Sequence, residues 1–178
     1  MPAVPVRRAL ALFAPALAAV ALAGATSAAA TPQHHETQRL VVRGDATVTD
    51  APCDGGICIE LTDARFRGTP VGSGDYTGAL KLKVAEGFAN GEGGVCAPIA
   101  GKIVLGAGSP DRLVLAVAGD SCQDGAGDPT TTSFTGLARF KVKYGTGIYA
   151  GTRGNGLASF AEDAADHDRM TLIGRISR

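Results

Sequence analysis

The chain carries no block of basic residues, and that absence bounds its partners. Its 178 residues hold 17 Lys+Arg against 17 Asp+Glu. Two of the basic residues, Arg7 and Arg8, fall within 1–30, where no acidic residue occurs, so the remainder is nearly neutral. Neutralising phosphates requires clustered Lys and Arg, so neither nucleic acid nor an anionic membrane is expected as a partner. Tryptophan is absent. Helical periodicity of useful length is also missing beyond residue 30. No Gly-x-Ser-x-Gly elbow occurs, which leaves nucleophilic hydrolysis of the usual kinds without a candidate. No cofactor motif stands in its place.

What is present begins with an export signal. Arg7 and Arg8 form a basic head, and Ala9 to Ala23 is a short apolar core interrupted by Pro15. Ser27-Ala28-Ala29-Ala30 supplies the small residues of a cleavage site. The competing reading is an uncleaved anchor, but the apolar run is too short to span a bilayer comfortably. Residues 31–38 read as a flexible leader and 39–178 as one domain. Secretion or a periplasmic location follows as the expectation, with no membrane attachment after cleavage.

All four cysteines, Cys53, Cys58, Cys96 and Cys122, lie beyond the signal. An even number in an oxidising compartment reads as two disulfides. Cys53–Cys58 would close a small loop containing two glycines. Cys96–Leu105 and Arg112–Cys122 look like two strands of a hairpin. Leu105 facing Arg112 would leave Cys96 one residue out of register with Cys122, and a one-residue adjustment sets them opposite. Zinc would need more thiolate or imidazole ligands at suitable spacing, and a redox pair would more often be Cys-x-x-Cys. No metal site is expected.

Between turn signals the chain reads as eight strands: 40–48, 59–66, 76–84, 96–105, 112–122, 134–142, 157–162 and 170–176. The third alternates cleanly, with Tyr76, Gly78, Leu80, Leu82 and Val84 on one face and Thr77, Ala79, Lys81 and Lys83 on the other. That period of two is what a half-buried antiparallel strand requires. Gly44 marks a bend in the first strand. Eight short, hairpin-connected strands with 25 glycines in the chain suit an all-β, antiparallel up-and-down barrel, which closes on itself and so exposes no edges. An immunoglobulin-like β-sandwich is the alternative, suggested by the short Cys53–Cys58 loop.

The glycine-rich stretch Tyr144–Gly156 is the most specific feature. Ile148 and Tyr149 lie between two glycine clusters, which predicts a tight corner plugging one end of the β structure. Gly145-Thr146-Gly147-Ile148-Tyr149-Ala150-Gly151 with Gly154 and Gly156 resembles the Gly-Thr-Gly-aromatic signature of allene-oxide-cyclase-like and dirigent-like β-barrels. The resemblance implies an eight-stranded barrel and a capacity to form trimers. It also implies an interior that either binds a small molecule or folds a flexible apolar substrate. No catalytic carboxylate of that family aligns with a position here.

Candidate site residues follow from the strand faces. Tyr76, Phe134, Phe140, Tyr149 and Phe160 could line a cavity, and packed core is the competing reading. Asp63, Arg65 and Arg67 share one face of the second strand. Inward, Arg65 would hold the polar group of a ligand. Outward, it belongs to a solvated face, which desolvation cost favours. Glu60 and Arg139 invite the same two readings. His34 and His35 lie in the leader, and His167 in a polar turn spanning 163–168. The expectation is an exported, disulfide-stabilised barrel that binds a small apolar molecule or acts as a scaffold. The alternatives are a cyclase or isomerase acting inside the barrel, and a structural or protein-binding protein.

Overall fold

The computed structural model describes residues 36–91, 93–124, 133–163 and 165–178. The expected signal, most of the leader, His34 and His35 lie outside them. Nine strands follow in order: β1 Thr37–Cys53, β2 Gly56–Thr69, β3 Gly72–Leu82, β4 Phe88–Ala89, β5 Val95–Leu105, β6 Leu113–Asp124, β7 Ser133–Gly145, β8 Arg153–Glu162 and β9 His167–Ser177. All pair antiparallel, in the order β3-β2-β1-β9-β8-β7-β6-β5, and β3 then pairs with β5 from Tyr76↔Leu105 to Leu82↔Ile99. That last ladder closes the sheet into an eight-stranded barrel. The sandwich alternative is thereby excluded, since its two sheets would leave β3 and β5 unpaired. The two-residue β4, unanticipated, adds to the outside of β5 at Phe88↔Cys96.

Alternation decides which side chains fill the barrel. Leu40 and Val42, Tyr76 and Leu80, Ile103 and Leu105, Leu113 and Val117, Phe140, and Met170 and Leu172 are buried in one core. Each large apolar side chain removed from water contributes roughly 1.5–3 kcal/mol. The positions between them face outward and are mostly polar or charged, with Leu137, Leu157 and Ile173 as apolar exceptions. Space for the larger rings comes from small neighbours. A Cβ on Gly44 would lie 2.8 Å from the Tyr76 ring, so glycine there lets the tyrosine cross the barrel.

The bend expected at Gly44 is a bulge two positions further on, between Asp45 and Thr47, answered on β2 by a second irregularity between Leu61 and Ala64. There Asp63 adopts a left-handed φ of 49°. β3 ends at Leu82, earlier than expected. Val84 opens a short 3-10 turn held by a Lys83–Glu86 ion pair at 3.0 Å, and its side chain is exposed instead of facing the core.

Both disulfides form as the spacing suggested. The β5–β6 register is Leu105↔Leu113, one residue from the Arg112 pairing expected, and this sets Cys96 directly opposite Cys122. Cys53–Cys58 staples the β1–β2 hairpin. Two disulfides in a closed barrel are compatible with a protein stabilised for an oxidising compartment. No helix among the described residues is long and apolar enough to cross a membrane.

One end of the barrel is plugged. The corner between β7 and β8 folds as a 3-10 turn at Gly147–Tyr149. Tyr149 is buried, and its hydroxyl donates to the Val71 carbonyl at 3.0 Å, joining the corner to the β2–β3 hairpin. Asp111 Oδ1 accepts the Ile148 N–H at 2.9 Å, and the Thr146 hydroxyl donates to the Pro110 carbonyl at 2.6 Å, which latches the corner to the β5–β6 loop. Gly147 has φ 56°, and a side chain there would strike Asp111. The expected plug exists, with Tyr149 inward and Ile148 outward. The second glycine cluster is not a turn, however. Gly154 and Gly156 lie within β8, where any Cβ would meet the backbone of β9.

Candidate functional site

The opposite end is built differently. There β8 turns into β9 through Asp163–Asp166. Asp163 Oδ1 accepts the N–H groups of Ala165 at 2.9 Å and His167 at 3.2 Å. Asp166 takes a left-handed φ of 58°. These bonds hold the Asp163 carboxyl below the usual carboxylate range. They also make the turn tight, so that β9 starts at His167 and its inward series runs Asp168, Met170, Leu172, Ile176. The expected polar turn, 163–168, therefore ends two residues early. His167 is exposed, and the carboxyl next to it is carried inside.

Asp168 is 3% exposed, and its Oδ2 has no hydrogen-bond partner. The Ala161 N–H donates to the same carboxyl, which alone would lower its pKa. Burial wins, aided by the nearby charges of Glu162 and Asp45, and pushes Asp168 up to about 7. Glu162, half-buried on β8, is also raised, first by burial and then by the charges of Asp166, Asp50 and Asp163. Tyr76 lies deeper, with an unpartnered buried hydroxyl. Its pKa is raised by burial and then by the charges of Asp168 and Asp45.

A cavity of about 30 Å³ opens beside Asp168. Glu162 and Ser121 line it with the apolar side chains of Val48, Ile59, Leu61, Leu80, Phe134 and Phe160. The volume admits one water-sized group. Below it Leu40, Tyr76, Ile103, Phe140 and Leu172 pack into the barrel core. Val48, Ile59, Phe134 and Phe160 are half-buried and form an apolar rim around the mouth. Chemically, the site offers a carboxyl able to hold or release a proton near neutral pH, beside a cavity with largely apolar walls.

Comparisons with protein-family models, curated proteins and solved structures find no match to this chain. The site's reading rests on its own chemistry.

The residues singled out from sequence do not converge. Of the aromatic set, Phe134 and Phe160 line the mouth. Tyr76 and Phe140 are buried in the filled middle, and Tyr149 plugs the far end. Arg65 is a correction: it points outward, 82% exposed at its side chain, in an ion pair with Asp75 at 3.0 Å, and cannot hold a ligand inside. Phe66 takes the inward place on that strand. Glu60 and Arg139 are likewise outward. Asp168 and Glu162 were missed. The available signal was parity: Asp168 continues the alternating inward series of Met170 and Leu172, and only its polarity made it read as turn. Among the described residues no group of His, Cys, Asp or Glu is arranged to hold a metal ion.

Proposed function

We propose that this chain is an exported barrel that binds a small, largely apolar molecule at its open mouth, through one basic group seated on Asp168. The observation that carries this reading is the buried Asp168, whose Oδ2 has no hydrogen-bond partner and which lines a cavity with largely apolar walls. A buried carboxylate without a partner is costly. An ammonium group offers both the missing countercharge and donors for Asp168 and Glu162, while the rim of Phe134, Phe160, Val48 and Ile59 covers the apolar body. The resemblance of the glycine corner to allene-oxide-cyclase-like barrels supports the same reading, because it implies a barrel able to bind a small molecule.

The test is calorimetric titration with a straight-chain primary amine, with the alcohol and carboxylate of equal length as controls. The amine should bind, and Asp168→Asn should abolish the difference between amine and alcohol. Equal weak binding of all three would refute the role of Asp168.

A second reading is carried by the pKa of Asp168 near 7. A carboxyl poised there can serve as a general acid or base, which would make the mouth an isomerase site. A bell- or sigmoid-shaped pH–rate profile abolished by Asp168→Asn would support it, once turnover of any ligand is detected.

A further inference from the structure

The outer wall supplies what the linear sequence lacks. Along β1, β9, β8 and β7 the positions between the core residues face outward, and the sheet register aligns them in rows. One row is Arg39↔Arg175↔Asn155↔Lys141, and the next is Val41↔Ile173↔Leu157↔Arg139. Arg43 follows on β1 and lies directly opposite Arg67 of β2. None of these positions carries a carboxylate.

Like charges placed directly opposite on neighbouring strands destabilise a sheet. Two such pairs occur here, Arg39/Arg175 and Arg43/Arg67, and among the described residues no ion pair joins any of the four. The ion pairs that do occur lie elsewhere. Between the Arg39–Arg175–Lys141 row and Arg43 runs an apolar rib. Leu157 is 53% and Ile173 48% exposed, directly opposite each other, with Val41 on the next strand. Single exposed apolar residues are ordinary, but a contiguous set flanked by unpaired arginines is not. Beside the rib, Arg139, Lys141 and Asn155 border a groove of about 570 Å³ floored by Ala116, Ala118 and Gly156.

A partner for this wall must present negative charge on both sides of an apolar zone. A soluble polyanion would satisfy the arginines and leave Leu157 and Ile173 in water. The interface of an anionic bilayer offers both, phosphates at headgroup level and hydrocarbon just beneath. We propose that the β7-β8-β9-β1 wall docks sideways on an anionic phospholipid surface, with Leu157 and Ile173 entering the headgroup layer and Arg39, Arg175, Arg139 and Lys141 holding lipid phosphates. The inference is independent of the mouth site, which remains open at the barrel's end.

The experiment is co-sedimentation of the disulfide-bonded chain with vesicles of phosphatidylglycerol and phosphatidylcholine in equal parts, and with pure phosphatidylcholine, at moderate salt. Binding to the mixed vesicles alone is expected. Arg39→Glu/Arg175→Glu should weaken it at least tenfold, since each cation near an anionic surface contributes about 1 kcal/mol. Leu157→Ser/Ile173→Ser should weaken it severalfold with the charge intact. Lys83→Glu, outside the wall, should leave it unchanged. All these side chains are exposed, and circular dichroism confirms that each variant is folded. Failure to bind the mixed vesicles overturns the proposal, and so does equal loss with Lys83→Glu. Binding of soluble polyphosphate that ignores Leu157→Ser/Ile173→Ser also overturns it, and assigns the wall to a polyanion.

Discussion

The Tyr149 hydroxyl donates to the carbonyl of Val71, a residue 78 positions earlier in the chain. This bond ties the β7–β8 corner to the β2–β3 hairpin across the plugged end. Arg178 stacks over the tyrosine ring at 5.3 Å and covers it from the C-terminus. Removing the hydroxyl leaves a carbonyl without its donor, at a cost of about 1–2 kcal/mol. Tyr149→Phe should therefore lower the denaturation midpoint modestly, and Tyr149→Ala should cost about 3–5 kcal/mol by opening a cavity. Amide exchange at Thr152, whose N–H donates to the Tyr149 carbonyl, should accelerate in Tyr149→Ala. Unchanged exchange there would mean that the corner holds without its plug.

Burial of Asp168 gives the fold a pH dependence whose sign follows from its raised pKa. Its pKa, pushed up to about 7 from an ordinary 3.8, means that the native state holds its proton more tightly than the unfolded chain. The stability linked to that proton is present below pH 4 and is lost as pH rises to about 7. Asp168→Asn should be more stable than the parent at pH 8, by on the order of 2–4 kcal/mol, and nearly equal to it at pH 4. Glu162, shifted in the same direction, should leave a residual slope in the variant. Urea denaturation at pH 4, 6 and 8 measures this, and a constant difference across that range would show that Asp168 does not titrate within it.

Gly44 and Tyr76 should be energetically coupled. A Cβ at position 44 would sit 2.8 Å from the Tyr76 ring and 3.2 Å from both the Met170 methyl and the Arg65 carbonyl oxygen. Overpacking of this kind costs about 1–3 kcal/mol. Gly44→Ala should be less damaging in a Tyr76→Leu background, and the double-mutant cycle should give a coupling of at least about 0.5 kcal/mol. Strict additivity would place the strain at the Met170 methyl or the Arg65 carbonyl instead.

The two disulfides should contribute unequally. Cys96–Cys122 spans 26 positions and Cys53–Cys58 spans five. In the chain-entropy account their contributions are about 3.5 and about 2 kcal/mol. Replacing each pair by alanine and comparing denaturation midpoints tests the order. A larger loss at Cys53–Cys58 would show that the staple on the β1–β2 hairpin acts on the native state.

Local signals carried much of the fold. Period-two alternation from Tyr76 to Val84 marked a strand and sorted its two faces, because one side meets the core and the other meets water, although the strand itself ends at Leu82. Glycines around Ile148 and Tyr149 marked a corner, since few other residues accept those backbone angles. Cysteine spacing yielded both pairings, because hairpin register is a local property. The site was decided elsewhere. Whether Asp168 lies in a turn or inside the barrel depends on where β9 begins, and the Asp163 hydrogen bonds set that start. Outward Arg65 and inward Phe66 depend on how a strand packs against the rest of the barrel. The basic wall has the same origin: Arg39, Lys141 and Arg175 are far apart in the chain, so composition shows a neutral protein without a basic block. Only the pairing of β1, β9, β8 and β7 brings them into one row, and the β1–β9 register is fixed by long-range pairing and not by neighbours in sequence.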